Sequence, residues 1–344
     1  MKNLLTLLLC TLSLLGCAPI RPSDTATTVK TPDTTTTVKT PLKVCYSAVG
    51  TVTQSLPIYA SEKGIYAKYG LDVRLVNIEG GDKATAALIA GQMDICQVAG
   101  PAVVNAVVAG ADVVLIAGLV NTYAFYLITR PEIQTAADLQ GKTVAISSPG
   151  GSTDAAMRLA LQSLGLRPEQ DVTIVSMNSE SNRLAAMETG AIAGTVVGVP
   201  VQAKVRELDY HKLVDVAALK IPFPNTTFAT SHTFIKAHHD TALRFLQANI
   251  EAIATMKQDK AGAMAAIAKF MGLDGEKDTA ALEEAYQQFV LGYLPDMPYP
   301  EAKGVQTILD GLIAKNPAAA KITPADVIDT SLLDEITKSG SVKK

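Results

Sequence analysis

Residues Lys142 to Gly165 read KTVAISSPGGSTDAAMRLALQSLG, and this stretch decides the fold. Thr143-Val144-Ala145-Ile146-Ser147 is a short apolar strand. Ser148-Pro149-Gly150-Gly151-Ser152-Thr153 is a tight loop. Ala156, Met157, Ala160, Leu161 and Leu164 then recur at helical spacing. The two glycines let the backbone approach whatever lies in front of it. Ser152 or Thr153 is expected to cap the helix, and the free N–H groups of its first turn attract negative charge. A small solute, expected to be anionic, docks at such an end.

The same grammar extends on both sides. Lys43 to Ala48 is a strand, Gly50 to Gln54 a polar loop, and Leu56 to Tyr69 a helix closed by Gly70. Strands at Leu71–Ile78, Asp94–Val98 and Asp112–Val120 alternate with helices at Lys83–Ala90 and after Gly100-Pro101. Ala124 to Thr129 is extended and leaves this unit. Beyond it, strands at Thr143, Val172–Met177, Ala193–Val197 and Leu213–Val216 alternate with helices after Ser152, at Glu180–Thr189 and at Pro200–Leu208. Pro222 to Thr230 is extended and can return to the first unit. Helices then run over His239–Lys257, Lys260–Met271, Lys277–Gly292, Pro300–Lys315 and Leu332–Ile336, the last expected to dock on the first unit. Alternation of this kind predicts parallel α/β sheets. Two crossings predict two lobes hinged about a cleft, residues 42–126 with 228–344 and residues 127–227, each with its own core.

Composition limits the function. The 344 residues are 48% hydrophobic with a formal charge of −3, enough for two lobes and without the basic runs of a nucleic-acid surface. Lys2 precedes an apolar run from Leu4 to Leu15 that is too short to span a bilayer. It ends in Leu14-Leu15-Gly16-Cys17, which resembles a bacterial lipobox. Residues 1–16 are therefore expected to be a signal peptide, with lipid on Cys17 anchoring an exported protein to the bacterial cell membrane. Residues 17–41 repeat Thr-Thr-Val-Lys-Thr-Pro and read as a tether of roughly 25–30 Å. Cys45 and Cys96 remain in the body. An oxidising compartment would let them pair, but both fall in predicted strands and are read as free, buried core thiols. No metal or cofactor is expected, since neither cysteine has a second ligand nearby and no phosphate or dinucleotide motif occurs. The four histidines, His211, His232, His238 and His239, read as surface groups, with His232 a candidate for the cleft edge.

Five strand-to-helix loops carry the remaining signal: Gly50–Gln54, Gly80–Asp82, Gly100-Pro101, Ser148–Thr153 and Gly198–Pro200. In an open sheet such loops gather beyond the carboxyl ends of the strands, where ligands sit. None of the five contains arginine, which argues for a sulfonate, carboxylate or polar neutral solute over a phosphate. Asp82 reads as a helix cap and Arg183 as half of a local surface pair.

Ala60–Val73 (ASEKGIYAKYGLDV), Ala87–Asp94 (ALIAGQMD), Asp138–Lys142 (DLQGK) and Arg183–Gly190 (RLAAMETG) extend the argument. Over about residues 43–340 the chain resembles the bacterial solute-binding proteins of sulfonate, taurine and nitrate importers, and their relatives that bind thiamine-pyrimidine precursors. The resemblance implies a type II periplasmic-binding-protein fold, and a monomer that captures a solute and hands it to an ABC permease and its ATPase. It also implies pocket-lining positions at Thr51, Gln54, Gly100, Pro101, Asn121, Tyr123, Ser148, Gly151, Ser152, Thr153 and Asn225. Alternative readings are a binding protein for a pyrimidine or flavin, a ligand-sensing lipoprotein adaptor, and a pyrimidine-precursor synthase. The absence of tryptophan disfavours ring stacking, and the lack of the fungal synthases' cysteine-rich motif disfavours an enzyme.

Overall fold

The computed structural model describes residues 39–201, 205, 208–314 and 316–340. The expected signal peptide, Cys17, most of the expected tether and most of the expected helix Pro200–Leu208 lie outside these residues. Strand β1 (Thr40–Tyr46) begins within the stretch read as tether, because Thr40 and Pro41 already pair with Leu71 and Asp72.

The chain builds two five-stranded sheets. The first uses β1, β2 (Leu71–Asn77), β3 (Ile95–Val98) and β4 (Val114–Thr122). The second uses β5 (Phe125–Thr129), β6 (Thr143–Ile146), β7 (Thr173–Ser176), β8 (Gly194–Gly198) and β9 (His211–Asp215). The chain then returns as β10 (Pro222–Thr230). The strand orders are β2-β1-β3-β10-β4 and β7-β6-β8-β5-β9, one pattern used twice. Both sheets are mixed rather than parallel. β10 runs antiparallel to β3 and β4, and β5 antiparallel to β8 and β9. Each reversed strand sits where the chain crosses from one sheet to the other, and β10 pairs in the first sheet from Pro222 onward.

Helices follow the strands: α1 (Leu56–Glu62), α2 (Ile65–Lys68), α3 (Gly81–Ile89), α4 (Gly100–Val108), α5 (Ala136–Leu139), α6 (Ser152–Ser163) and α7 (Glu180–Glu188). The single helix expected over Leu56–Tyr69 is two. Gly64 takes φ +67, a left-handed conformation that ends α1 and starts α2. The helix expected over Lys277–Gly292 is α-helical only over Thr279–Ala285 and continues as a π-helix over Tyr286–Tyr293. The helix Ser331–Ser339 buries Leu332, Leu333 and Ile336 against the helix His239–Gln258 and β4, as its apolar stripe requires.

The lobes do not have wholly separate cores. One apolar cluster runs from Phe228 and Phe245 beside the first sheet to Tyr126, Ala145 and Val197 of the second. Two further clusters cover other parts of the sheets.

Cys45 and Cys96 form a disulfide, which corrects the expectation of free thiols. Both are fully buried, as expected of core residues. The parallel pairing of β1 and β3 sets them in register with Cα atoms 4.5 Å apart, inside the range that a disulfide bridges. Non-reducing peptide mapping should recover the two cysteine peptides as one linked species. Replacing both by alanine should cost about 2–4 kcal/mol of stability, a typical value for a lost native bridge. Separately alkylated peptides would contradict the pairing.

Candidate functional site

The loops after β1, β2, β3, β6, β7 and β8 surround a cleft of about 890 Å³, part of it open to solvent. The first-sheet wall carries Ser47, Thr51 and Gln54 from the loop after β1, Glu79 from the loop after β2, Asp82 from the first turn of α3, and Asn225 and Thr226 from β10. The second-sheet wall carries Ser147, Ser148 and Gly151–Thr153 before and within α6, Asn178, Glu180 and Arg183 around the start of α7, and Phe125.

The loop after β1 is held by its own polar groups. The Gln54 side-chain carbonyl accepts from Ser47 N–H at 3.2 Å, and the Gln97 amide donates to Thr53 O at 3.1 Å. Val52 N–H reaches Val199 O at 3.4 Å, tying this loop to the segment after β8. Thr51 packs so close to Gly198 that a Cβ there would lie 2.8 Å from Thr51 Oγ1.

Around α6 the capping expectation needs correction. Gly151 is the N-cap, and no side chain caps the helix. Thr153 instead latches the loop backwards: its Oγ1 accepts from Ser147 N–H at 2.9 Å and lies 2.6 Å from the Ser147 hydroxyl. Asp154 accepts from Gly150 N–H at 2.8 Å and pairs with Arg158. The first-turn N–H groups of α6 have no acceptor within the helix.

Arg183 is not a surface residue. It is 3% exposed, and its guanidinium donates to Thr195 Oγ1 at 2.9 Å and to the carbonyls of Met177 and Asn178 at 3.3 Å. Burial pulls its pKa down, while the charges of Glu180 and Glu79 oppose that fall. Asp82 is not a cap either. Gly80 holds the N-cap position of α3, and Asp82 stands in the first turn, where the helix dipole favours a negative charge. Burial pushes its carboxyl above the ordinary range.

Of the positions that the resemblance implied, Thr51, Gln54, Ser148, Gly151, Ser152, Thr153 and Asn225 line the cleft, whereas Gly100, Pro101, Asn121 and Tyr123 do not. The Asn121 amide donates to Tyr299 O at 3.1 Å. The Tyr123 ring stacks on Phe223 with centroids 3.8 Å apart. Gly100 acts one layer back, since α4 crosses β10 directly over Pro224, the neighbour of Asn225. His232 binds Asp112 on the exposed surface, away from the cleft lining. Glu79, Asn178, Glu180 and Thr226 line the cleft without having been singled out from sequence. Arg183 had one legible signal: side chains in a first helical turn lean towards the N-terminus, here towards the cleft.

The family model described as NMT1/THI5 like matches residues 53–263. The chain belongs to that family. It is 27% identical over 210 residues to YtlA of Bacillus subtilis (strain 168), which is named as a binding protein with no ligand specified. That match covers 58% of this chain and 63% of YtlA. The fold is that of periplasmic binding proteins. The alkanesulfonate-binding protein SsuA from Xanthomonas axonopodis pv. citri superposes with a TM-score of 0.66 at 18% identity, covering 86% of this chain and 96% of that one. The nitrate-binding protein NrtA from Synechocystis PCC 6803 superposes with a TM-score of 0.70 at 17% identity, covering 88% and 89%. At these identities the likeness is one of fold. Among the described residues no helix is long and apolar enough to cross a membrane.

Gly100→Ala tests the crossing that positions Asn225. The new Cβ would fall 2.3 Å from Pro224 Cγ and 3.0 Å from Pro224 O. Urea unfolding should show a loss of about 1–3 kcal/mol, typical of overpacking. Unchanged stability would mean that the crossing is not tight.

Proposed function

We propose that this protein is the solute-capturing component of an ABC importer. Exported and held to the membrane by lipid on Cys17, it takes up a small polar solute between two hinged lobes and passes it to the permease and its ATPase. The expected lobe boundaries, 42–126 with 228–344 and 127–227, belong to this reading. No bond of the solute is made or broken in it. The names of SsuA, NrtA and YtlA support the class.

One observation carries the reading. Asn225 and Thr226 are 5% and 1% exposed, they line the cleft, and Asn225 Oδ1 and Thr226 Oγ1 have no hydrogen-bond partner. A buried polar atom without a partner costs about 1–3 kcal/mol unless something supplies the bond. A solute seated in the cleft would do so. The first turn of α6 would favour a sulfonate-like group, as the sequence led one to expect. The acidic side chains of the lining weigh against a solute that is anionic throughout.

A thermal-shift screen of sulfonates, nitrate, carboxylates, amines, pyrimidines and flavins tests the reading. A solute at a hundred times its Kd should add about 2.7 kcal/mol of stability. Thr226→Val should leave the free protein as stable as wild type or more so, because it removes a buried hydroxyl that has no partner. The same variant should weaken binding several-fold. Binding that ignores it would place the solute elsewhere.

A further inference from the structure

A run of hydrogen bonds joins the C-terminal helices to the second sheet at a place the solute site does not use. Glu284 stands in the helix Thr279–Ala285 and Gln288 four residues on in the π-helix Tyr286–Tyr293, which packs on β4 of the first sheet and on the helix His239–Gln258. The Gln288 amide donates to Glu284 Oε1 at 3.3 Å. From the second sheet, the Tyr126 hydroxyl of β5 donates to Gln288 Oε1 at 2.9 Å. Val201 N–H, just past β8, donates to that same Glu284 oxygen at 3.3 Å. Tyr126 and Val201 are buried, and Glu284 and Gln288 are half-buried. None of the four lines the cleft.

Each bond of this run is suited to hold. Burial pushes the Tyr126 pKa up, so its hydroxyl stays a donor. Lys212 Nζ covers the Tyr126 ring at 5.0 Å from the centroid. A carboxylate is a stronger acceptor than a neutral group. Turns of π-helix are rare and recur at functional sites, and this one presents Gln288 to Tyr126. The segment after β8 is also gripped from its other side, where Val52 N–H reaches Val199 O and Thr51 packs on Gly198. These bonds exist only while the second sheet stands against the first-sheet side, and a motion that parts the two must break them.

We propose that Glu284 and Gln288 form a latch onto which the second sheet closes, so that residues outside the cleft lining help to set the balance between open and closed forms. This goes beyond solute capture. The latch favours the closed form whatever the cleft holds, and it slows entry and release alike.

The test is pulsed electron paramagnetic resonance on the purified protein with no solute added. Spin labels at Ala86→Cys on α3 and Ser181→Cys on α7, both exposed, measure the distance across the gap. Adding Tyr126→Phe together with Gln288→Ala should raise the ratio of long to short distances about fivefold, the effect of losing one typical hydrogen bond. Tyr126→Phe alone, which removes a single oxygen atom, should shift the ratio the same way by less. Hydrogen exchange at Val52 N–H should quicken at least threefold, while amides within β3 and β6 keep their wild-type rates. An unchanged distance distribution would overturn the latch. Exchange that quickens throughout both sheets would overturn it too, since that marks general destabilisation in place of opening. No solute enters the measurement, so its result stands apart from that of the thermal-shift screen.

Discussion

Two strands laid against their neighbours make the cleft possible. β5 and β10 each occupy the fourth position of a sheet otherwise running one way, and each is the strand by which the chain changes sheets. With the crossings taken up there, the parallel strands β1, β2, β3 and β6, β7, β8 send their carboxyl-terminal loops to a common gap. β10 does more than connect. It carries Asn225 and Thr226 into the gap, and Gly100 is what lets α4 come near enough to seat it. A shared apolar cluster running between the sheets couples their positions, so the cleft walls are supported from behind.

Polar groups around the cleft fall into two sets. Gln54, Thr153, Asp154, the Arg183 guanidinium and the amide nitrogen of Gln97 are used holding loops in place. Asn225 and Thr226 line the same space, and Asn225 Oδ1 and Thr226 Oγ1 have capacity left over. Loops held in this way favour tight capture, because little local ordering remains to be done when the solute arrives. The arrangement also narrows what can be captured, since a ligand without hydrogen-bonding groups leaves those two buried side chains unmet.

Much of the fold was legible. Periodicity located the strands and most helices within a few residues, and the extended runs at Ala124–Thr129 and Pro222–Thr230 marked the two crossings. Strand direction was not legible, because apolar runs such as Tyr126–Ile128 and Phe228-Ala229 are buried on both faces and look the same read either way. The Cys45–Cys96 bridge depends on which strands become neighbours, and that is a property of topology. Within the candidate site, loops were easier to find than side chains. Ser148 to Thr153 fell inside the lining because the whole loop does. Asn121 and Tyr123 fell outside because local partners, Tyr299 O and the Phe223 ring, claim them. Arg183 was read as exposed because helical periodicity says nothing of a long side chain reaching back beneath its own first turn.

The most direct measurement is a crystal structure of the protein with its tightest-binding solute. Density should lie in the gap between the sheets, touching Asp82 or Asn225 on one side and the first turn of α6 on the other. Density on an outer surface, or contacts drawn from one sheet alone, would contradict the account.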